Sequence, residues 1–245
     1  MSDWKHDATI HAEGQSSKYF LDFLVPLTVL LALTLVFRVT GLDLKLSALF
    51  YAPEGGWIYS SAPICTFLYD YGTWPGIFLA IAAAIMLVAG LLRQHLSPYR
   101  KPALFFILLL ALGPGLIVNG ILKNNSERPR PRDVTAFSGS NQFHKVLDFG
   151  EPGQGQGFPS GHASVGFFLG APYFVLRKSN RRWALFWLLL GLTYGGAIGL
   201  VRMAQGGHFA SDILWAWGIV HLCGVALAHL LHLGKQQTGK LLLPE

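Results

Sequence analysis

Six long apolar runs constrain this chain more than any other feature of its sequence. A transmembrane helix needs about 20 consecutive apolar residues, and each run approaches that length, the fourth being the shortest. Hydrocarbon offers no hydrogen-bonding partners, so a spanning segment must pair its backbone groups internally, as an α-helix does. We therefore predict an all-α bundle of six transmembrane helices. Their expected bounds are residues 20–37, 74–92, 103–122, 162–176, 183–200 and 213–233.

The composition favours a membrane protein over a soluble domain. Of the 245 residues, 52% are hydrophobic and only 13% are charged, whereas soluble domains carry about 25% charged residues. We predict one domain over residues 1–245, with a polar N-terminus (1–19), a membrane core (20–233) and a short tail (234–245). In a membrane protein, the basic residues behind the net charge of +6 bear on its orientation in the bilayer. We expect no nucleic-acid partner.

The connection between the first two runs, residues 40–73, has the features of a membrane surface. Leu42, Leu46 and Leu49 recur at helical spacing, which predicts a short amphipathic helix lying on the bilayer. Aromatic residues follow it, namely Trp57, Tyr59, Tyr69, Tyr71 and Trp74. Such residues are typical of the belt that anchors helices at the headgroup level, and we interpret them as anchors.

Charge in the short loops predicts the orientation. Residues 93–101 carry three cations and residues 177–182 carry four, and neither loop has an acidic residue. Both loops fall on the side of the two termini if all six runs cross the membrane. Because short basic loops stay in the cytoplasm, we predict that both termini are cytoplasmic. The long connection 124–160 then lies on the outer side.

The turn before the fourth run has the composition of a helix N-terminus. It reads Phe158-Pro159-Ser160-Gly161-His162, with Ser160 suited to the N-cap and His162 in the first turn. Unpaired backbone N–H groups and a partial positive charge at a helix start both suit a phosphate. The same residue types are also common at the start of any helix. Other polar residues of the chain must therefore decide whether this turn binds phosphate.

Two further polar clusters lie at the ends of other runs. Lys123 and Arg130 follow the third run, and an arginine can bind two phosphate oxygens at once. Arg202, His208 and Asp212 lie between the fifth and sixth runs. On a helix, His208 and Asp212 would share a face, so the carboxylate could keep one imidazole nitrogen protonated and leave the other free to attack. The alternatives are a solvated basic loop and a capping aspartate.

Topology brings the three clusters to one face of the membrane. Six crossings place the end of the third run, the start of the fourth and the turn between the fifth and sixth on the outer side. Three sets of phosphate-binding residue types at one interface favour a phosphate site. A transporter would carry its polar residues near the bilayer midplane, so the interfacial position of these charges argues against one.

Written with their spacing, the clusters form three motifs. They are Lys123–x6–Arg130–Pro131, Pro159-Ser160-Gly161-His162 and Arg202–x5–His208–x3–Asp212. Together they resemble the three-part signature of the type 2 phosphatidic acid phosphatase superfamily, from the third run onward. The resemblance implies a membrane lipid phosphatase that works through a phosphohistidine, without a metal or other cofactor. Val201 departs from it, since serine commonly precedes the arginine in this family.

The resemblance also implies a role for each residue. His208 would be the nucleophile, Asp212 would orient it, and His162 would protonate the leaving group. The phosphate oxygens would be held by Lys123, Arg130, Ser160, Gly161 and Arg202. The implied partners are a lipid phosphate and the bilayer, and the oligomeric state stays open. The implied location is the bacterial inner membrane, with the active site facing the periplasm.

A shorter stretch bears on the identity of the lipid. The run from Arg128 to Asp133, followed by Phe137-Ser138-Gly139 and Phe143, is similar to the family branch that dephosphorylates lipid A. Lipid A, at its 1- or 4′-phosphate, is therefore our first candidate. Undecaprenyl pyrophosphate, phosphatidylglycerol phosphate and phosphoryl transfer to a second lipid are the alternatives. We interpret Arg128 and Arg132 as surface charges, or as contacts to a second phosphate or a sugar.

Overall fold

Apolar helices build most of the computed structural model, which describes residues 3–233, with side chains from residue 20 onward. Within that range, five helices are long and apolar enough to cross a membrane: Phe20–Thr40, Pro63–Leu92, Gln94–Asn125, Arg181–Ala204 and Ala210–Leu230. A shorter apolar segment, Gly161–Leu176, takes the place of the fourth predicted run. The all-α membrane bundle is thus confirmed, while the predicted tail 234–245 lies outside the described residues.

The described helices follow one another with short irregular connections, apart from the long loop after the third span. They are α1 (Asp3–Thr40), α2 (Leu42–Ala48), α3 (Pro63–Tyr71), α4 (Trp74–Leu92), α5 (Arg100–Leu110), α6 (Lys123–Asn125), α7 (Gly161–Phe167), α8 (Pro172–Leu176), α9 (Arg181–Ala204) and α10 (Ala210–Leu230). Short 3₁₀ turns cover Gln94–Tyr99, Pro131–Asp133, Thr135–Phe137 and Phe168–Gly170. Strands β1 (Tyr51–Ala52) and β2 (Gly56–Trp57) pair antiparallel.

The third span changes its winding halfway along. After α5 it continues as a π-helix over Ala111–Leu122, which leads into α6. Pro114 lies inside this stretch, and its carbonyl accepts a hydrogen bond from Asn119 Nδ2 at 2.7 Å. A Cβ on Gly113 would lie 3.8 Å from Cys223 on α10, which is close packing. The third span therefore has a widened helix that packs closely against α10.

The core and the lipid-facing surface divide the apolar side chains between them. A buried cluster joins α5, α7 and α10, and it includes Phe105, Leu109, Ala163 and Val220. Other large apolar side chains point outward on the spans, as in α4, where Leu92 is 80% exposed. Such an exterior is unfavourable in water and favourable in hydrocarbon, so the distribution agrees with a bundle that sits in a bilayer.

The short helix after α1 turns its polar face to the protein and its leucines outward. A helix forms over Leu42–Ala48, yet the side chains it buries are Asp43 and Ser47, at 2% and 0% exposure. The leucines are half-buried or exposed, with Leu49 69% exposed. The apolar spacing therefore predicted the helix, while the face that docks onto the protein is the polar one. This orientation brings the Asp43 carboxylate into the interior.

One end of the bundle gathers the helix ends that carry the predicted site. Lys123 begins α6, Ser160 caps α7, Arg202 lies in the last turn of α9, and His208 precedes α10. The loop 126–160 covers this end and contributes to an apolar cluster around Phe209. The chain thus positions side chains from distant parts of the sequence within one polar region.

Candidate active site

The start of α7 is built as the sequence predicted. Ser160 is the N-cap, and its Oγ accepts a hydrogen bond from the backbone N–H of Ala163 at 3.4 Å. The backbone N–H of Ser160 donates to the carbonyl of Asp212 at 3.2 Å, which ties α7 to α10. Gly161 lies against Asn119, where a Cβ would come within 2.4 Å of Oδ1. A larger residue at position 161 would therefore displace Asn119.

The predicted cations lie around the His162 ring. The charges of Lys123, Arg130 and Arg202 all act on His162, and those of Arg130 and Arg202 act on the Lys123 amino group. Arg202 is 7% exposed, and its Nε has no acceptor among the described residues. Mutually repelling cations with an unpaired buried donor make a region that an anionic group would stabilise.

His162 and Arg202 share an aromatic neighbour that the sequence did not assign to the site. The Tyr69 ring of α3 stacks on His162 with centroids 4.8 Å apart. The Arg202 guanidinium carbon lies 4.4 Å from the centroid of the same ring. Tyr69 was predicted only as a membrane anchor, and no spacing rule connects it to residues more than 90 positions away. The structure makes it a wall of the site.

The imidazole of His208 is held mainly by a backbone carbonyl. Its Nδ1 lies 2.7 Å from the carbonyl oxygen of Gly157 and 3.7 Å from Asp212 Oδ2. The Gly157 carbonyl can only accept, so Nδ1 carries the proton in this bond and Nε2 keeps its lone pair. Gly157, three residues before Ser160, thus supplies the acceptor that the sequence assigned to Asp212.

Asp212 acts at the start of α10 and not along its face. The helix begins at Ala210, so the prediction that His208 and Asp212 share a helical face was wrong. Asp212 Oδ2 accepts a hydrogen bond from the backbone N–H of Phe209, the N-cap residue, at 2.7 Å. A carboxylate in the first turn also interacts favourably with the helix dipole. Asp212 thus helps to cap α10 from its first turn, whereas His208, which the capping alternative placed at the surface, is buried at 2% exposure.

Arg128 is buried inside the site region, so its interpretation as a surface charge was wrong. It is 1% exposed and forms ion pairs with Asp212 and, at 2.8 Å, with Asp43 of α2. Burial alone would lower the pKa of Arg128, but the two carboxylates outweigh it and raise the pKa. Arg132 does stay at the surface, 46% exposed, with Asp133 at 3.9 Å.

The departure at Val201 has a packing explanation. Val201 is buried in a small apolar cluster with Cys65 of α3 and Ala204 of α9. A hydroxyl there would need a hydrogen-bonding partner within an apolar contact. The valine therefore joins α9 to α3, the helix that carries Tyr69.

Comparison with known proteins agrees with this arrangement. The profile of the PAP2 superfamily matches residues 103–234. The lipid A 4′-phosphatase of Francisella tularensis subsp. novicida (strain U112) is 31% identical over 172 residues, which are 69% of this chain and 77% of that protein. No solved structure matches the chain significantly.

An apolar helical bundle with a cation-lined end, together with these matches, defines a membrane phosphatase, a phosphoric monoester hydrolase. The chain belongs to the PAP2 superfamily. Among the side chains described, no three His, Cys, Asp or Glu residues gather as metal ligands. Independence from metals nevertheless stays a prediction, and a chelation experiment below tests it.

The environment of His208 predicts a pH dependence. Burial lowers the pKa of His208, and the hydrogen bond and charge of Asp212 offset this only in part. A lowered pKa keeps the ring neutral, and Nε2 able to attack, below the usual value of about 6.5. We expect the acidic limb of kcat/KM that His208 produces, corrected for ionisation of the substrate phosphate, to have its midpoint below that pH. In Asp212→Asn the midpoint should move lower still, and an upward move would contradict this account.

The Tyr69 contacts predict a requirement for its ring. Stacking and cation–π contacts contribute about 1–3 kcal/mol together, so Tyr69→Leu should lower kcat/KM by about 5- to 150-fold. Tyr69→Phe keeps the ring face and should retain most of the activity. Tyr71→Leu is the matched control, because the Tyr71 ring contacts Phe67 and Trp74, which are not residues of the site. This variant should keep its kcat/KM. Equal losses in the leucine and phenylalanine variants of Tyr69 would refute the role of the ring.

Proposed function

We propose that this protein hydrolyses a phosphate monoester of a membrane lipid through a phosphohistidine intermediate. The 4′-phosphate of lipid A is the first candidate for the group that is removed. The observation that carries the proposal is the convergence of His208, held through Nδ1, with the cations around His162. The choice of lipid A rests on the similarity to a lipid A 4′-phosphatase. It also agrees with the sequence from Arg128 to Phe143.

The first chemical step follows from the atoms that are free to react. Nε2 of His208 attacks phosphorus while the bond from phosphorus to the lipid oxygen breaks, and protonated His162 delivers its proton to that oxygen. The negative charge of the bound phosphate favours the protonated ring of His162 despite the surrounding cations. The products of this step are the lipid alcohol and a phosphohistidine.

Charge on the transferring group is met by fixed donors. Lys123, Arg130 and Arg202 would neutralise its equatorial oxygens, together with Ser160 and the backbone N–H of Gly161. Water then attacks the phosphohistidine, neutral His162 takes up the proton of that water, and inorganic phosphate leaves. The role of Gly157 and Asp212 is to stabilise the positive ring of His208 while the phosphoryl group is attached.

The proposed orientation places this site at the periplasmic face of a bacterial inner membrane, with both termini in the cytoplasm. The basic loops 93–101 and 177–182 lie at the ends of the spans opposite to Lys123 and Arg202. A lipid phosphate at the headgroup level would then reach the cations while its acyl chains stay in the bilayer.

A pyrophosphate lipid is the second candidate, because one more cation lies near the site. The charge of Arg132 acts on Arg202 together with that of Arg130. Arg132 is also exposed enough to contact a ligand. An undecaprenyl pyrophosphate would place its second phosphate within reach of this additional charge.

Phosphate release from defined lipids tests the function. Purified protein in detergent with excess chelator should release inorganic phosphate from lipid A, and mass spectrometry should locate the loss at the 4′ position. Undecaprenyl pyrophosphate, phosphatidylglycerol phosphate and phosphatidic acid complete the panel, with His208→Ala as the inactive control. Activity that disappears with the chelator and returns with a divalent metal would contradict the metal-free mechanism. Release from none of these lipids would contradict the proposed function.

The two histidines should fail in different ways. His208→Ala should abolish the phosphoenzyme, since no nucleophile remains. His162→Ala should slow lipid cleavage by about 10²- to 10⁴-fold, the usual contribution of a general acid. The loss of rate should be smaller with a nitrophenyl phosphate, because nitrophenolate leaves without a proton. Rapid quenching with radiolabelled substrate measures both effects. The same residual activity in both variants, whatever the leaving group, would refute these roles.

A further inference from the structure

A chain of buried charges connects α2 with the turn that holds His208. Asp43 is 2% exposed and accepts hydrogen bonds from the Ser211 backbone N–H at 2.9 Å, the Ser211 hydroxyl at 2.6 Å and Arg128 Nη2 at 2.8 Å. Arg128 donates through Nη1 to Asp212 and through Nε to the His144 carbonyl at 3.0 Å. Every polar atom of the Asp43 carboxylate is thus occupied, and one guanidinium separates it from Asp212.

The geometry of Arg128 determines where Asp212 can point. Its guanidinium carbon lies 4.7 Å from the centroid of the Phe209 ring, a cation–π contact that helps to hold the group in place. One nitrogen faces Asp43 and another faces Asp212. With Oδ1 of Asp212 held by Arg128, Oδ2 is left for the Phe209 N–H and the side facing His208. Asp43 is therefore connected to Asp212 through the Arg128 guanidinium.

The charges of the network also match the reaction. Two carboxylates, Asp43 and Asp212, enclose one guanidinium, so one negative charge remains uncompensated in the buried cluster. It lies beside the His208 ring, since Oδ2 of Asp212 is 3.7 Å from Nδ1. A histidine that attacks phosphorus through Nε2 gains positive charge in its ring. A fixed negative charge next to that ring stabilises the transition state more than the ground state.

We propose that Asp43 is a positioning residue for phosphoryl transfer: through Arg128 it holds Asp212 in place, and it keeps the net charge beside His208 negative. This inference rests on the proposed function, in which His208 is the nucleophile. Asp43 lies outside residues 103–234, the part of the chain that matches the superfamily. The site is therefore completed by a residue of the N-terminal part of the chain.

Two variants of Asp43 separate a role of its charge from simple anchoring of α2. Asp43→Asn keeps the size and removes the charge, whereas Asp43→Glu keeps the charge and changes the length. If the charge matters, Asp43→Asn should lower kcat by about 10-fold or more with KM within about twofold, a loss typical of coupled neighbours. Asp43→Glu should then retain more of kcat than Asp43→Asn. If Asp43 only anchored α2, the longer side chain would be the more harmful change.

The measurements are steady-state kinetics and the single-turnover rate of phosphoenzyme formation, with a thermal unfolding midpoint in detergent for each variant. Asp148→Asn is the control, because Asp148 pairs with Arg38 at 2.7 Å and is 41% exposed. Its kcat should equal that of the wild type. If Asp43→Asn does not fold, Asp43→Glu decides alone: a folded protein with most of its kcat supports the inference.

Failure of the inference differs visibly from failure of the proposed function. A wild-type protein that forms no phosphoenzyme would overturn the function of His208. A wild type that forms phosphoenzyme, with folded Asp43→Asn reacting at the same rate or with folded Asp43→Glu losing at least as much kcat, would overturn the positioning role alone.

Discussion

The buried guanidinium of Arg128 is the interaction on which the rest of the site depends. Removing a charge from water costs several kcal/mol, and the cost is recovered only where partners are placed well. The Arg128 guanidinium offsets this cost by donating hydrogen bonds to Asp43, Asp212, Ser211 and the His144 carbonyl. These partners belong to α2, the loop 126–160 and α10, so a single side chain holds three separate parts of the chain together. Loss of one carboxylate partner would leave the guanidinium with a single ion pair and would remove the net negative charge of the cluster.

Arg128 also reaches His208 by a second route, through its backbone. Its carbonyl accepts a hydrogen bond from the Gly157 N–H at 2.7 Å, and the Gly157 carbonyl lies 2.7 Å from His208 Nδ1. A Cβ on Gly157 would approach the Arg128 carbonyl to 2.7 Å, so this contact requires glycine. The side chain of Arg128 thus fixes Asp212 while its backbone fixes Gly157. The two groups next to Nδ1 of His208 have one common support.

The sequence was a good guide wherever the bilayer or a local rule decides the structure. The predicted run 74–92 coincides with α4, because hydrocarbon demands a continuous paired backbone whatever the neighbours are. The cap at Ser160 likewise depends only on adjacent residues. The grouping of Lys123, Arg130 and Arg202 near His162 also agrees with the order of the helices. The end of one helix and the start of the next lie at the same end of an antiparallel bundle.

Where the sequence misled, tertiary partners decided the outcome. Arg128 looks like a surface residue beside two other arginines, and nothing nearby shows that Asp43, 85 positions earlier, will neutralise it. The helical spacing of His208 and Asp212 failed because α10 begins two residues after His208, so the spacing spans a turn. Tyr69 satisfied the rule for membrane anchors and was therefore given no other role. The periodicity of apolar residues indicates which side chains face lipid. Buried polar contacts between distant residues produce no periodic pattern in the sequence.

The resulting charge distribution has a direction that suits phosphoryl transfer. Cations act on His162, and the net negative charge of Asp43, Arg128 and Asp212 lies on the Nδ1 side of His208. In the proposed reaction, positive charge would grow in the His208 ring as Nε2 bonds to phosphorus, and negative charge would spread over the phosphoryl oxygens. Each change would occur next to fixed charge of the opposite sign, which the fold has already oriented. Because α2 and α3 supply Asp43 and Tyr69, this polarity is a property of the whole chain and extends beyond the superfamily match.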